Sequence, residues 1–152
     1  MTPSRELQQA ESAMQLVLEN LIDSQQGLQQ IANELKDEPL KAYFLAESLK
    51  RAEFRGNIES VLHREGVRDV KESGTTAGAV HRAWAGLKSK LGGGDHTLLV
   101  TAEQGEDALK DAYAKAIDSN LPLPVRQLLT GQAAHILAAH DFIRGARDKK
   151  AA

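Results

Sequence analysis

Polar side chains interrupt the apolar face of each long helix that the sequence predicts. The interruptions fall near the middle of each helix, where a core is normally apolar. A buried carboxylate is costly unless it is paired with a cation or bound to a metal ion, so these residues must contact one another or a ligand. The predicted polar layer consists of Ser24, Gln25, Glu47, Arg51, Glu106 and Gln132.

The first interpretation of this layer is an internal network of ion pairs and amides. Arg51 would neutralise Glu47 or Glu106. The side-chain amides of Gln25 and Gln132 would satisfy the carboxylate lone pairs that Arg51 leaves. Layers of this kind can fix the register of packed helices. No cofactor is then required, and this is the interpretation that we favour from the sequence.

The second interpretation is a metal site for iron or manganese, either a dinuclear site or a weaker site for a single ion. Oxygen and imidazole ligands suit these ions without any cysteine. Carboxylate-bridged bundles place Glu residues and Glu-x-x-His pairs in their cores for this purpose. The candidate metal ligands in this sequence are Glu103, Glu106, Gln132, His135 and His140.

The sequence departs from that ligand pattern on three helices. The first helix has Gln25 or Gln26 where a Glu is expected. The second helix lacks a Glu-x-x-His pair, since Glu59 is followed three residues later by Leu62. The fourth helix has Gln132-x-x-His135, with an amide where a carboxylate is expected. Arg51 in the same layer would repel a cation. We therefore predict no catalytic residue and no resident cofactor, with an Fe- or Mn-dependent oxidoreductase or iron-handling protein as the alternative function.

A third class of function rests on the segment that carries Trp84. His81, Arg82 and Trp84 lie together on a predicted short helix. An exposed indole there would suit an adaptor that docks a protein partner through this helix. The alternative, which we favour, is that Trp84 covers the flank of the bundle while His81 and Arg82 are solvated.

The elements that position these residues are predicted to be helices. In residues 5–36, apolar residues recur every seven positions, the pattern of a helix packed lengthwise against others. Counting outward from the turn before Pro39 places Ser24 and Arg51 at equal height on neighbouring helices. The predicted fold is an all-α, ferritin-like four-helix bundle that forms one domain, residues 1–152. Its long antiparallel helices are predicted at about 5–36, 39–65, 97–120 and 124–148, with a short crossover helix at about 76–91.

The composition fits a helical protein and argues against several classes of function. Aromatic residues are only 4%, while Ala, Leu, Gln, Glu and Lys are abundant. The net charge of −2, with both signs interleaved, is unlike a nucleic-acid-binding surface. The chain has no cysteine, which excludes disulfides and thiolate metal sites. It also has no apolar run long enough for a membrane span, so we expect a cytoplasmic protein without nucleic-acid partners or membrane insertion.

Several stretches of the chain resemble one known family. They are LENLIDSQQGLQQIA, DEPLKAYF, ESGTTAGAVHRAWAGLKSKL, EQGEDALKDAYAKAI, LPLPVRQLL and AAHDFIRGARD. Together they are similar to the bacterial four-helix-bundle proteins of a domain-of-unknown-function family, of the DUF2383 type, in the ferritin-like superfamily. The resemblance implies a ferritin-like bundle with a long crossover, and it implies no established activity.

The habits of ferritin-like bundles also lead us to expect self-association, for example as a dimer. The overall prediction is a non-catalytic accessory protein, related to stress or to the cell envelope, with a structural polar layer.

Overall fold

The computed structural model describes residues 4–67, 84 and 86–151, and every regular element in those residues is an α-helix. The helices are α1 (Arg5–Gln9), α2 (Glu11–Glu34), α3 (Glu38–Arg64), α4 (Leu87–Lys90), α5 (Asp95–Asp118) and α6 (Leu123–Ala151). The all-α prediction is therefore confirmed for the described part of the chain. None of the helices in that part is long and apolar enough to cross a membrane.

The predicted first helix, residues 5–36, is divided into two helices in the structure. Ala10 has φ −92° and ψ 4°, outside the helical range, and separates α1 from α2. Hydrogen bonding nevertheless continues, since the N–H of Ala10 donates to the Glu6 carbonyl and the N–H of Met14 donates to the Ala10 carbonyl. At the other end the predicted helix is two residues too long, because Leu35 has an extended backbone and ends α2.

Two carboxylate side chains lie at helix starts at one end of the molecule, and one of them caps its helix. The Asp37 side chain accepts a hydrogen bond from the N–H of Leu40 (3.1 Å), so α3 begins at Glu38, one residue before its predicted start. The Asp95 carboxylate accepts hydrogen bonds from the backbone N–H groups of Lys36 and Asp37 (2.9 and 3.0 Å). This contact joins the start of α5 to the α2–α3 turn, and α5 begins at Asp95 rather than at residue 97.

The other helix boundaries also differ slightly from the prediction. α3 ends at Arg64 and α5 at Asp118, so each is a little shorter than predicted at that end. α6 starts at Leu123 and continues to Ala151, past its predicted end at residue 148. Residues 76–83 and 85 of the predicted crossover helix lie outside the described residues, and α4 covers Leu87–Lys90.

The four long helices pack side by side, with two running in one direction and two in the other. α2 packs against α3 and α5, and α6 packs against α5 and, less extensively, against α3. Asp37 contacts both Asp95 and Lys150, whose Nζ lies 3.0 Å from Asp37 Oδ2. The ends of α2 and α6 therefore meet the starts of α3 and α5. As a result α2 and α6 run one way, α3 and α5 run the other, and residues 65–94 connect opposite ends of the packed helices.

The apolar core is divided into two clusters, and the polar layer lies between them. Along α2, one cluster ends at Leu21 and the other begins at Leu28. Ser24 is buried in that gap, and the corresponding gaps in α3 and α5 hold the buried residues Arg51 and Glu106. The interruptions seen in the sequence are therefore one layer across the middle of the molecule.

Candidate functional site

Arg51 is the centre of the buried polar layer. Its side chain is inaccessible to solvent and contacts two carboxylates: Nη2 lies 3.1 Å from Glu106 Oε1, and Nη1 lies 3.3 Å from Glu47 Oε1. Arg51 Nε donates to Ser24 Oγ (3.3 Å), and that hydroxyl donates to Glu106 Oε1 (3.0 Å). We call these four residues the Arg51 network. It joins α2, α3 and α5, and it contains the predicted contact between Ser24 and Arg51.

The two carboxylates keep Arg51 in its charged form. Burial alone would lower the pKa of the guanidinium because it disfavours the charged state, but the attraction of Glu106 and Glu47 outweighs burial and raises that pKa above its usual value. Glu106 Oε2 is buried and has no hydrogen-bond partner among the described residues. Its ion pair with Arg51 therefore offsets most of the cost of burying this carboxylate.

Glu47 connects the buried cation to the edge of the layer through His135. His135 Nε2 lies 2.9 and 3.0 Å from the two carboxylate oxygens of Glu47. The His135 side chain is 37% exposed, and its ring packs edge-on against Phe54 with 5.3 Å between the ring centroids. His135 therefore contacts the Arg51 network from the rim rather than from within the core.

The Gln132 amide makes its hydrogen bonds to uncharged groups and not to the carboxylates, so its predicted role in satisfying carboxylate lone pairs is wrong. Its Oε1 accepts a hydrogen bond from the Tyr113 hydroxyl (2.7 Å), and its Nε2 donates to the backbone carbonyl of Phe54 (3.2 Å). Burial raises the pKa of the Tyr113 hydroxyl, which keeps it protonated and able to donate. The sequence analysis missed Tyr113, although a buried tyrosine hydroxyl normally requires a partner.

Gln25 takes part in the layer through its backbone. The Ser48 hydroxyl donates to the Gln25 carbonyl (2.8 Å) and so connects α3 to α2. Gln25 itself is half-buried, whereas the other predicted layer residues are buried. Those buried residues are Ser24, Glu47, Arg51, Glu106 and Gln132.

The layer does not fit a dinuclear metal centre, the group that a ferritin-like fold implies. Such a centre needs inward carboxylates that are free to bind cations. Here the Arg51 guanidinium lies against both Glu47 and Glu106, and it would repel a metal ion placed between them. The interior positions therefore support an ion-pair network.

A second group of titratable side chains lies between α5 and α6. Glu103, Asp107 and His140 each offer a ligand atom within 4.8 Å of the others. His140 Nε2 lies 2.7 Å from Asp107 Oδ1 and 4.0 Å from Glu103 Oε1. The sequence analysis missed Asp107, although its spacing of four residues from Glu103 places both carboxylates on one face of a helix.

The structure separates the five residues predicted as metal ligands. Glu103 and His140 come together, and with Asp107 they form the one group of three or more potential ligands found in the described residues. The other three make the contacts given above: Glu106 with Arg51, Gln132 with Tyr113, and His135 with Glu47.

Trp84 fills a notch between α2 and α5 that two glycines leave open. A Cβ atom at either Gly27 or Gly105 would overlap the indole ring. The ring therefore packs closely against the backbone of both helices, which favours the interpretation that Trp84 covers the flank of the core. His81 and Arg82, the other residues of this predicted surface site, lie outside the described residues.

Comparison with known families and proteins gives a family but no activity. No curated protein matches the chain. The family described as "Domain of unknown function (DUF2383)" matches residues 9–119, a span that contains α2 to α5 and the whole Arg51 network. Because this span is well over half of the 152 residues, the chain belongs to the DUF2383 family.

Proposed function

We propose that this protein is a non-catalytic, ferritin-like helical-bundle protein whose central polar layer aligns its helices. The observation that carries this proposal is the buried Arg51 guanidinium, which contacts both Glu47 and Glu106. These are the interior carboxylates that a metal centre would need, and a cation of the chain itself already lies against both of them.

The path of the chain supports the ferritin-like part of the proposal. Ferritin-like bundles have two antiparallel helix pairs joined by one long crossover connection. Here α2 pairs with α3, α5 pairs with α6, and residues 65–94 connect opposite ends of the two pairs.

The Arg51 network can align helices because Arg51 reaches Glu106 in only one register. Sliding α3 by one turn relative to α5, about 5.4 Å, would separate Arg51 from Glu106 and leave the Glu106 carboxylate unpaired in an apolar interior. Such a loss costs about 3–5 kcal/mol. Apolar side chains discriminate less between neighbouring registers, whereas a buried polar residue can specify one of them.

The proposal predicts that the central layer binds no iron. Protein purified without chelator would be analysed for metals and then titrated anaerobically with Fe(II), with Glu106→Gln and Asp107→Asn beside the wild type. We expect Glu106→Gln to leave any iron uptake unchanged while lowering the unfolding temperature. Stoichiometric binding that is abolished by Glu106→Gln but retained by Asp107→Asn would place the ion in the layer and refute the proposal.

The other predictions concern the cellular role, the location and the partners of the protein. The stress-related role, the cytoplasmic location and the dimer stay predictions, because none of the described contacts tests them. The adaptor alternative has less support, since the indole on which it rests packs between α2 and α5.

A further inference from the structure

We propose that Glu103, Asp107 and His140 bind a single divalent transition-metal ion in the groove between α5 and α6. Glu103 and Asp107 lie one turn apart on α5, and His140 lies opposite them on the antiparallel helix α6. This site lies outside the Arg51 network. A dinuclear centre of the ferritin type would draw on all four long helices, whereas this group draws on two.

The spacing of the ligand atoms fits an ion held by one nitrogen and two oxygens. With metal–ligand bonds of about 2.0–2.2 Å, tetrahedral ligand atoms are about 3.3–3.6 Å apart. His140 Nε2 lies 2.7 Å from Asp107 Oδ1 and 4.0 Å from Glu103 Oε1, so the two distances bracket this range. Rotation of the half-exposed Asp107 side chain can lengthen the shorter of the two distances.

His140 distinguishes this group from an ordinary acidic cluster. The side chain is 1% exposed, and Nε2 is buried without a hydrogen-bond partner in the described part of the chain. Asp107 Oδ1 is close enough to accept a hydrogen bond, but it lies off the direction that an N–H on Nε2 would take. A buried polar nitrogen that makes no hydrogen bond is costly, and a bound cation would satisfy it.

Asp141 orients the imidazole ring for this role. His140 Nδ1 lies 3.3 Å from Asp141 Oδ1 on the side of the ring away from Nε2. When Nδ1 carries the proton and donates it to Asp141, the lone pair of Nε2 is free to bind an ion held beside it by Asp107 and Glu103. Metal-binding histidines are commonly held in one tautomer by a carboxylate in this way.

Two arginines of α6 compete with an ion for Glu103. Arg147 Nη1 lies 2.5 Å from Glu103 Oε2, and Arg144 Nε lies 3.9 Å from Glu103 Oε1. Both arginines are partly exposed, and Arg147 also pairs with Asp148 at 2.9 Å. Either guanidinium can therefore turn toward solvent, and an ion in the site would then take its place beside the Glu103 carboxylate, which is 13% exposed. The two arginines therefore lower the affinity of the site for an ion but do not prevent an ion from binding.

The donor set selects the class of ion. One imidazole with two carboxylates suits Zn²⁺, Mn²⁺ or Fe²⁺, and the lack of a thiolate disfavours copper(I). Mg²⁺ and Ca²⁺ prefer sites built only from oxygen. Zn²⁺ is the best probe, because it has no redox chemistry and binds nitrogen and oxygen ligands more tightly than Mn²⁺ or Fe²⁺ does.

Calorimetric titration of the full chain with Zn²⁺ tests the site. Asp107→Asn is compared with Asp111→Asn, which changes an exposed aspartate one turn further along α5. We expect one ion per chain in the wild type and in Asp111→Asn, and at least a tenfold loss of affinity in Asp107→Asn. Equal affinities for these two variants, or no saturable binding to the wild type, would overturn the proposal.

Arg147→Ala tests the same site with a variant that should raise the Zn²⁺ affinity. Removing this guanidinium takes a competing cation from Glu103, so Zn²⁺ should bind several-fold more tightly. Lys149→Ala removes the same charge from an exposed position nearby and should leave the affinity within twofold of the wild type. Equal Zn²⁺ affinities for Arg147→Ala and Lys149→Ala would show that Glu103 is not a ligand of the ion. These results do not depend on whether the Arg51 network excludes iron, so the two proposals can fail separately.

Discussion

The Arg51 network and the group of Glu103, Asp107 and His140 place similar residues in opposite situations. Each has two carboxylates between packed helices. In the network, the compensating cation is a fully buried side chain that contacts both carboxylates. In the second group, the nearby arginines are partly exposed, and the buried residue is a histidine with an unpaired nitrogen.

The difference shows that carboxylates at mid-helix do not by themselves mark a metal site. What matters is whether the neighbouring cation can leave. Arg51 cannot move away without leaving buried charges unpaired. Arg147 can turn toward solvent, where it keeps Asp148 as a partner, and an ion bound to Glu103 would then replace its charge. We therefore assign a structural role to the inner layer and a binding role to the outer group.

The largest expected effect comes from removing the buried cation. Arg51→Met leaves Glu47 and Glu106 without their guanidinium and should lower the free energy of unfolding by about 3–5 kcal/mol. Urea denaturation measures the change. The matched control is Arg55→Met, which removes a partly exposed pair with Glu59 and should cost about 0–1 kcal/mol. Similar losses of unfolding free energy in the two variants would mean that the buried ion pairs stabilise the protein no more than a surface pair does.

The Arg51 network is the part of the site that could be predicted from the sequence. The seven-residue spacing gives the buried face of residues 5–36, and all the residues that the spacing places on that face are buried. Those residues are Leu7, Ala10, Met14, Val17, Leu21, Ser24, Leu28, Ile31 and Leu35. The short α2–α3 turn then sets the relative height of two helices, which is enough to place Ser24 against Arg51.

The partners of Gln132 and His140 could not be predicted in the same way. Both residues lie on α6, and their contacts depend on how α6 is rotated and shifted against α5. Periodicity within one helix does not give that register. Asp107 was missed because it lies on the flank of α5, outside the apolar stripe. The exact helix starts depend on Asp37 and Asp95, and the Asp95 contact is a tertiary one.

Neutralising one carboxylate in the Arg51 network and one in the second group should lower the free energy of unfolding by unequal amounts. Glu106→Gln weakens a charged hydrogen-bonded pair in the interior and should destabilise the protein by about 1.5–3 kcal/mol. Asp107→Asn changes a half-exposed side chain, so its effect should stay within about 0.5 kcal/mol. Chemical denaturation without added metal compares them directly. A reversed order would contradict the assignment of the structural role to the inner layer.

The Trp84 notch, on another side of α5, allows a similar comparison for apolar packing. Gly105→Ala forces a methyl group into the indole ring and should cost about 1–3 kcal/mol. At Gly131 on α6, an added Cβ meets nothing within 4 Å, so Gly131→Ala should stabilise the helix by about 0.5–1 kcal/mol. Thermal unfolding measures both. If Gly105→Ala were also stabilising, Trp84 would not occupy the notch in solution.

The smallest effect is expected in the uncharged part of the layer. Tyr113→Phe removes the donor to Gln132 and should cost about 1 kcal/mol. Burial raises the pKa of Tyr113 in the folded protein above the usual 10.0, so the unfolded chain loses this proton first. The associated stability is present below pH 10 and is lost as the pH rises above it.

The measurement for this prediction is the unfolding temperature from about pH 9 to about pH 11. The wild type should lose stability more steeply than Tyr113→Phe. Burial also raises the pKa of Tyr43, but Tyr43 is present in both proteins, so the difference reports on Tyr113. Parallel curves would mean that the Tyr113 hydroxyl is exposed to solvent in the folded state.

A double-mutant cycle between Arg51 and Glu106 tests the central claim most directly. Arg51→Met leaves Glu106 and Glu47 without their guanidinium, and Glu106→Leu leaves Arg51 with Glu47 alone. The double variant removes both members of the Arg51–Glu106 pair. We predict that the double variant is more stable than the sum of the two single losses implies, with a coupling free energy of about 2–4 kcal/mol. Additive losses, with coupling within about 0.5 kcal/mol, would contradict the claim that this buried ion pair holds the helices together.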